Sequence, residues 1–185
     1  MFADEAGQSL RLPKARTRAP RGHTPVVKVA GKGSGRVSRA GMIAIKPATR
    51  TRMIYRAIVH HGRKNEKPGF RERDFTALLD AAHQQLRGPI VLVWDNSTQH
   101  VDKLMRTLIA TRATWLTVYR LPPYAPELNP VEGVWPHLKR NLGNLAARTT
   151  DELAALAKTR LKQMQHRPAL LDGLVAETGP TLEPP

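Results

Sequence analysis

Cysteine is absent from the 185-residue sequence, which excludes disulfide bonds, cysteine-based zinc sites and thiol nucleophiles together. Aromatic residues are also few, at 5%, whereas the 41% of hydrophobic residues is enough for one folded core. No apolar run approaches the roughly 20 residues of a membrane-spanning helix, and the N-terminal MFADEAGQSL lacks the pattern of a signal peptide. We therefore expect a soluble protein inside the cell, with no membrane partner.

Acidic residues are scarce between residues 11 and 73, where 18 Lys and Arg are opposed only by Glu66 and Glu72. The formal net charge of the whole chain is +15, so this segment accounts for all of the excess. Such a concentration is typical of a surface that binds a polyanion, although a solvated basic face or an unfolded tail has the same charge. Apolar alternation within the segment favours a folded surface that binds nucleic acid. The arginines expected to contact phosphates are Arg36, Arg39, Arg50, Arg52 and Arg56.

Apolar periodicity predicts a mixed α/β sheet flanked by helices. A strand stub in FADEAG, ending at Asp4, precedes two β-like runs that are expected to form an antiparallel hairpin. The continuous apolar run IVLVWD predicts a strand buried on both faces of the sheet. The elements expected after the stub are strands at 36–45 and 52–61, a helix at 70–86, a strand at 90–95, a helix at 101–112, a strand at 115–121, and helices at 128–145 and 151–167. We expect one domain over residues 1–178, including the basic hairpin region 11–73, and a flexible tail over 179–185.

Three acidic residues occupy positions that this fold would bring together. Asp95 follows the most hydrophobic strand, where burial of its charge is costly unless a cation or hydrogen-bond donors meet it. Asp4 ends the strand stub, and Glu132 opens a helix shortly after another strand. In such sheets, polar groups at the carboxyl ends of strands face the ligand crevice. Clustered carboxylates need a positive charge between them, and Mg²⁺ binds through one or two carboxylates together with water and phosphate.

Glu132 also has a purely structural explanation. In the stretch LNPVE, Asn129 suits the N-cap of a helix, Pro130 the first helical position and Glu132 the third. A glutamate at that position can accept a hydrogen bond from the N-cap backbone N–H, and it gains from the positive end of the helix dipole. This stretch by itself therefore favours helix capping over catalysis.

The stretches FADEAG, VLVWDNSTQH and LPPYAPELNPVEGVWPHLK resemble the catalytic domain of DDE transposases. The resemblance is nearest to the bacterial insertion-sequence branch of the mariner-like superfamily, which has an RNase H-like fold, and it covers nearly the whole chain. It implies that Asp4, Asp95 and Glu132 are the catalytic, metal-binding triad. The 36 residues between Asp95 and Glu132 are close to the usual separation in that family. With this resemblance in view, Glu132 is interpreted as a catalytic residue that also opens its helix.

Residues beside the triad receive roles from the same resemblance. It implies that Asn96 and His100 line the site, although the residues alone equally fit an Asx-type turn and a histidine at a helix start. Asn129 is expected at the site as well, where it holds the loop before the helix together with Tyr124.

The side chains of consecutive strand residues alternate between the two faces of a sheet, and this bears on Glu5 and on the pair His60 and His61. Successive side chains of a strand point to opposite faces, so Glu5 is expected to point away from the site of Asp4. For the same reason His60 and His61 do not form a metal-binding pair, and we interpret both as surface residues.

The resemblance implies an endonuclease that uses Mg²⁺, with Mn²⁺ as a substitute and two ions in the site. The implied reaction is DNA strand cleavage and strand transfer at insertion-sequence ends, by a homodimer bound to element ends and target DNA in the bacterial cytoplasm, associated with the nucleoid. Members of that family carry helix-turn-helix DNA-binding domains before the catalytic core, and this chain shows none. We therefore expect a shortened copy, or a separate N-terminal helix-turn-helix part.

Two other functions are compatible with the sequence. The chain is alternatively a catalytically silent DNA-binding remnant or accessory subunit that uses only the basic surface, which the intact triad disfavours. It is alternatively another RNase H-like nuclease such as a resolvase, which the stretch LPPYAPELNPVE disfavours.

Overall fold

The computed structural model describes residues 1–10, 19–23, 26, 35–66, 69–95, 103–143 and 147–179. The strands are β1 Phe2–Ser9, β2 Arg36–Ala44, β3 Arg52–His60, β4 Ile90–Trp94 and β5 Leu116–Arg120. The helices are α1 Glu72–Leu86, α2 Lys103–Ala110, α3 Pro130–Leu142, α4 Thr150–Gln165 and α5 Pro168–Glu177, with a short 3₁₀ turn at Pro126–Leu128. None of the helices in these ranges is long and apolar enough to cross a membrane.

The five strands form one mixed sheet in the order β3-β2-β1-β4-β5. The first three strands pair antiparallel along their length, which confirms the predicted hairpin of β2 and β3. β4 and β5 run parallel to β1, as expected where a helix connects one strand to the next. The result is the mixed α/β sheet that the periodicity of the sequence predicts.

Helices bury both faces of the sheet, but not over its full width. On one face α3, α4 and α5 pack against β1, β2 and β3, around fully buried side chains such as Val37, Leu138 and Leu161. On the other face α1 and α2 cover a second core that includes Phe75, Leu92 and Met105. Each large apolar side chain buried in this way stabilises the fold by about 1.5–3 kcal/mol.

The prediction that β4 is buried on both faces is wrong. Leu92 and Trp94 lie in the core under α1 and α2, whereas Val91, which points to the other face, is 52% exposed. The reason is that α3, α4 and α5 sit over the antiparallel half of the sheet. Among the described residues no helix covers β4 and β5 on that side.

Two boundaries also differ from the sequence-based expectation. β1 is not a stub that ends at Asp4: it continues to Ser9, because β2 pairs with every residue from Phe2 to Ser9. The predicted helix over 151–167 ends at Gln165 as α4, and Pro168 takes the first position of a further helix, α5.

Candidate active site

The pairing of β1 with β4 brings the first two carboxylates level with each other. Phe2 pairs with Val93 in parallel register, and Asp4 and Asp95 each lie two residues further along the chain, Asp95 directly after the end of β4. β4 ends at Trp94 while β1 continues beside β2, so the two strands part at this point. A crevice where neighbouring parallel strands part is the usual ligand position in such sheets. The strands that carry or precede Asp4 and Asp95 are therefore adjacent and parallel, as the predicted convergence of these two residues requires.

Asn129 attaches the start of α3 to the strand that carries Asp4. Its Oδ1 accepts a hydrogen bond from the backbone N–H of Val131 at 3.1 Å, which makes it the N-cap of α3. Its Nδ2 donates to the backbone oxygen of Ala3 at 2.9 Å, and the side chain is buried. One buried amide therefore fixes the helix start next to Asp4.

Glu132 is not used as the cap. The backbone N–H of Asn129, which a capping glutamate would accept from, donates instead to the oxygen of Pro126 at 3.0 Å. The Glu132 side chain makes no hydrogen bond to another described residue, and it lines the same cleft as Asp95 and Asn129. The helix dipole remains a favourable environment for its charge. The structural explanation therefore accounts for Asn129 and Pro130 but leaves the Glu132 carboxylate available.

The three carboxylates interact electrostatically. Burial raises the pKa of Asp4 to about 7; the hydrogen bond from Trp135 opposes this shift, and the charges of Glu132 and Asp95 add to it. Burial, and then the charge of Asp95, also raises the pKa of Glu132, with Lys139 opposing. Ionisation of one carboxyl group therefore disfavours ionisation of the other two, as expected when charges of one sign share a partly desolvated site.

The cleft beside these residues has a volume of about 400 Å³ and is walled by the proline-rich segment 121–126. Tyr124, expected to hold this loop in place, is fully exposed and has a positive φ of 58°. No three His, Cys, Asp or Glu side chains in the described part of the chain converge closely enough to hold one metal ion. The carboxylates of Asp4, Asp95 and Glu132 nevertheless have the chemistry of a magnesium site. In such a site each ion binds one or two carboxylates and completes its coordination with water and phosphate.

Comparison with known proteins decides the family. The model of the DDE superfamily endonuclease family matches residues 1–154. The chain belongs to the DDE superfamily endonuclease family. No curated protein sequence matches it.

Solved structures place this DDE domain in the RNase H-like fold. It is similar to the Mos1 Strand Transfer Complex, with a TM-score of 0.54 and 14% identity over 98% of this chain and 55% of that one. It is also similar to the Mos1 transposase paired-end complex with left transposon end, with a TM-score of 0.53 and 13% identity over 98% and 56%. A third match is the Mos1 transposase catalytic domain and Raltegravir with Mg, with a TM-score of 0.50 and 13% identity over 98% and 84%. The chain thus spans about half the length of the first two proteins.

The other predicted site residues are only partly described. Asn96 and His100 lie outside the described residues. Glu5 follows Asp4 in β1, and strand alternation directs it to the face of Ala3, which belongs to the core under α1. His60 is not a surface residue: it is buried and accepts a hydrogen bond from the backbone N–H of Gly69, while His61 is exposed.

The structure separates the five arginines predicted to bind phosphates. Arg50, Arg52 and Arg56 are exposed, and Arg36 is half-buried. Arg39 is fully buried, so the prediction that it contacts nucleic acid is wrong for this fold. It lies on the same face of β2 as Val37 and Ile43 and points under α3, where its guanidinium carbon lies 5.6 Å from the centre of the Trp135 ring.

In the part of the chain that the structure describes, Trp135 contacts Asp4 of the predicted triad, which sequence reasoning missed. Its spacing from Val131 and Leu138 predicts only a place on the apolar face of α3, and it is indeed buried. Its indole Nε1 also donates a hydrogen bond to Oδ2 of Asp4, across 131 residues of sequence. Helical periodicity identifies a buried face, but it carries no signal for a polar contact with a distant strand.

Proposed function

We propose that this DDE domain is the catalytic domain of a transposase that cleaves DNA strands at insertion-sequence ends and joins them to target DNA. The observation that carries the proposal is the parallel register that sets Asp4 level with Asp95, with Glu132 on the same cleft. The similar Mos1 structures, described as a paired-end complex with a left transposon end and as a strand transfer complex, support it through their shared fold.

We assign Asp4, Asp95 and Glu132 as the ligands of two Mg²⁺ ions, with Mn²⁺ as a substitute. The unfavourable repulsion between the carboxylates supports this assignment, because a divalent cation would remove it. When bound, two such ions supply Lewis acidity at the attacking and leaving oxygens of a phosphodiester. Mos1 structures containing Mn or Mg are similar in fold to this chain.

The remaining contributions come from the protein itself. Asn129 holds the start of α3 against β1, so the carboxylates on these two elements keep a constant separation. The proline-rich wall at 121–126 restricts access to the cleft from one side. Asn96 and His100 are proposed to line the site and to orient phosphate or water there.

DNA is the proposed partner of the basic surface. The candidates for phosphate contacts are Arg36, Arg50, Arg52 and Arg56. Arg39 is not a candidate, because it is buried. We further propose a homodimer on DNA and a separate N-terminal helix-turn-helix part that recognises element ends. On this proposal the protein acts in the bacterial cytoplasm, associated with the nucleoid, and residues 1–178 fold as one domain.

A nicking assay tests the proposed reaction. The purified chain is incubated with labelled DNA that carries the ends of its own element, and with supercoiled plasmid, in Mg²⁺, Mn²⁺ or EDTA. We expect strand breaks that leave free 3′-hydroxyl groups with either metal and none in EDTA. A chain that folds and binds DNA but never breaks a strand would instead be the catalytically silent remnant.

A further inference from the structure

Asp4 is held by a tryptophan to which the proposed function gives no role. Nε1 of Trp135 donates to Oδ2 of Asp4 at 2.5 Å, and the indole is only 4% exposed. Trp135 lies on α3, one helical turn after Glu132, so the helix that carries Glu132 also contacts Asp4. An indole N–H can only donate, and the contact therefore engages one carboxylate oxygen and leaves the other to face a different direction.

The indole is itself held by two residues of β2. Arg39 is fully buried, its guanidinium carbon lies 5.6 Å from the ring centre, and its nitrogens have no hydrogen-bond partner among the described residues. A cation over an indole face is attracted by the ring quadrupole. Gly41, which pairs with Asp4, makes room for the ring: a Cβ there would lie 3.2 Å from Cη2 of Trp135. A buried cation without hydrogen bonds is costly, which makes this placement unusual for a merely packed core.

We propose that Trp135 is a positioning residue that orients the Asp4 carboxylate for metal binding, and that Arg39 and Gly41 fix the indole for this role. The inference rests on the proposed function, since it takes Asp4 to be a metal ligand. Hydrogen-bond partners of a metal ligand set its orientation, and their removal typically weakens metal binding or activity about 10- to 100-fold.

Indole N–H resonances test the contact without metal or DNA. The three tryptophans give three indole signals in a ¹H–¹⁵N spectrum, and Trp135→Phe assigns one of them by removing it. Replacing the acceptor, in Asp4→Ala, should shift that signal and speed its hydrogen exchange, whereas Glu132→Gln should change it much less. A Trp135 signal that is unaffected by Asp4→Ala overturns the proposal.

Metal affinity tests the role. We expect Trp135→Phe, which keeps a ring but removes the donor, to bind Mn²⁺ about tenfold more weakly than the parent, with DNA affinity within about twofold. Val134→Ala is the matched control, because it loosens the same core without touching Asp4 and should lower the melting temperature while keeping Mn²⁺ affinity. Arg39→Met should weaken Mn²⁺ binding in the same direction but less, and it carries the test if Trp135→Phe does not fold.

The outcomes separate this inference from the proposed function. Equal Mn²⁺ affinity in the parent and Trp135→Phe overturns the positioning role and leaves the proposed function intact. A parent that neither binds Mn²⁺ nor breaks DNA overturns the proposed function, and this inference with it. Weaker Mn²⁺ binding in Trp135→Phe together with the expected shift in Asp4→Ala supports both.

Discussion

At the scale of single residues, the raised pKa of Asp4 makes the stability of the metal-free protein depend on pH. Its folded pKa is raised to about 7 from an ordinary value of 3.8, chiefly by burial. When folding raises the pKa of a carboxyl group, the group stabilises the folded protein fully at a pH below its pKa in the unfolded chain. This stabilisation is lost as the pH rises through the pKa of the folded state. We therefore expect the Asp4 contribution to the free energy of unfolding to decrease between about pH 4 and pH 7 when metals are chelated.

The comparison of parent and Asp4→Asn in EDTA isolates this contribution, because asparagine keeps the size of the side chain and removes its titration. The variant should be more stable than the parent at pH 8, by on the order of a few kcal/mol, and the difference should vanish near pH 4. Thermal melts across this range provide the measurement. A difference in melting temperature between parent and Asp4→Asn that stays constant at every pH would show that Asp4 is not the titrating group.

Single residues are also where sequence reasoning is least complete. The positions of Asp95 directly after a strand and of Glu132 at a helix start are visible in the sequence, because turn and cap residues mark such places. Asp4 instead lies within β1, which continues to Ser9. The buried state of Arg39 is not visible, since an arginine in a strand-like run is equally compatible with an exposed edge of the sheet. The Trp135 contact depends on packing between α3 and β1, which no local pattern specifies.

At the scale of elements, the N-cap of α3 connects stability with the site. Asn129→Ala should remove both the bond to Val131 and the bond to Ala3, and so destabilise the fold by about 1–3 kcal/mol. It should also reduce DNA cleavage by more than this loss of folded protein explains, since α3 would no longer be attached beside Asp4. Urea unfolding and nicking rates on the same preparations measure the two effects.

Thr149→Ala is the control for that prediction. Thr149 caps α4 through its bond from the backbone N–H of Glu152, at a helix start that does not line the cleft. It should cost about 1 kcal/mol and leave the nicking rate of folded protein unchanged. If both cap variants affect cleavage equally, Asn129 acts only through stability.

Element types were predictable from the sequence, but the coverage of the sheet was not. Helical periodicity correctly located α1 and α3, and continuous hydrophobicity correctly located β4. The apolar run of β4 indicated burial on both faces, whereas Val91 is exposed because the C-terminal helices lie over the antiparallel strands. Which helices cover which strands depends on contacts between distant parts of the chain, and a single apolar run does not encode it.

At the scale of the whole molecule, the distribution of charge predicts how DNA binding depends on salt. Replacing Arg50, Arg52 and Arg56 by glutamine should weaken binding to all DNA sequences about equally, and reduce the slope of log affinity against log salt by about one per phosphate contact. Arg160→Gln, a change at a half-buried arginine of α4 that lies outside the basic segment 11–73, is the matched control. Affinity that is insensitive to both salt and these substitutions would remove DNA from the account of this surface.

The most direct test of the central claim is metal-dependent cleavage by Asp95→Asn and Glu132→Gln, compared with Glu127→Gln. Glu127 is an exposed glutamate in the 3₁₀ turn before α3, so its substitution removes one nearby charge without altering the proposed triad. We predict that both triad variants fold, bind DNA like the parent and lose DNA cleavage by several orders of magnitude, because the metal site lacks a charged ligand. Glu127→Gln should cleave at close to the parent rate. Cleavage at the parent rate by Asp95→Asn would contradict the account, because the carboxylates at the parting of β1 and β4 would then not be the catalytic centre.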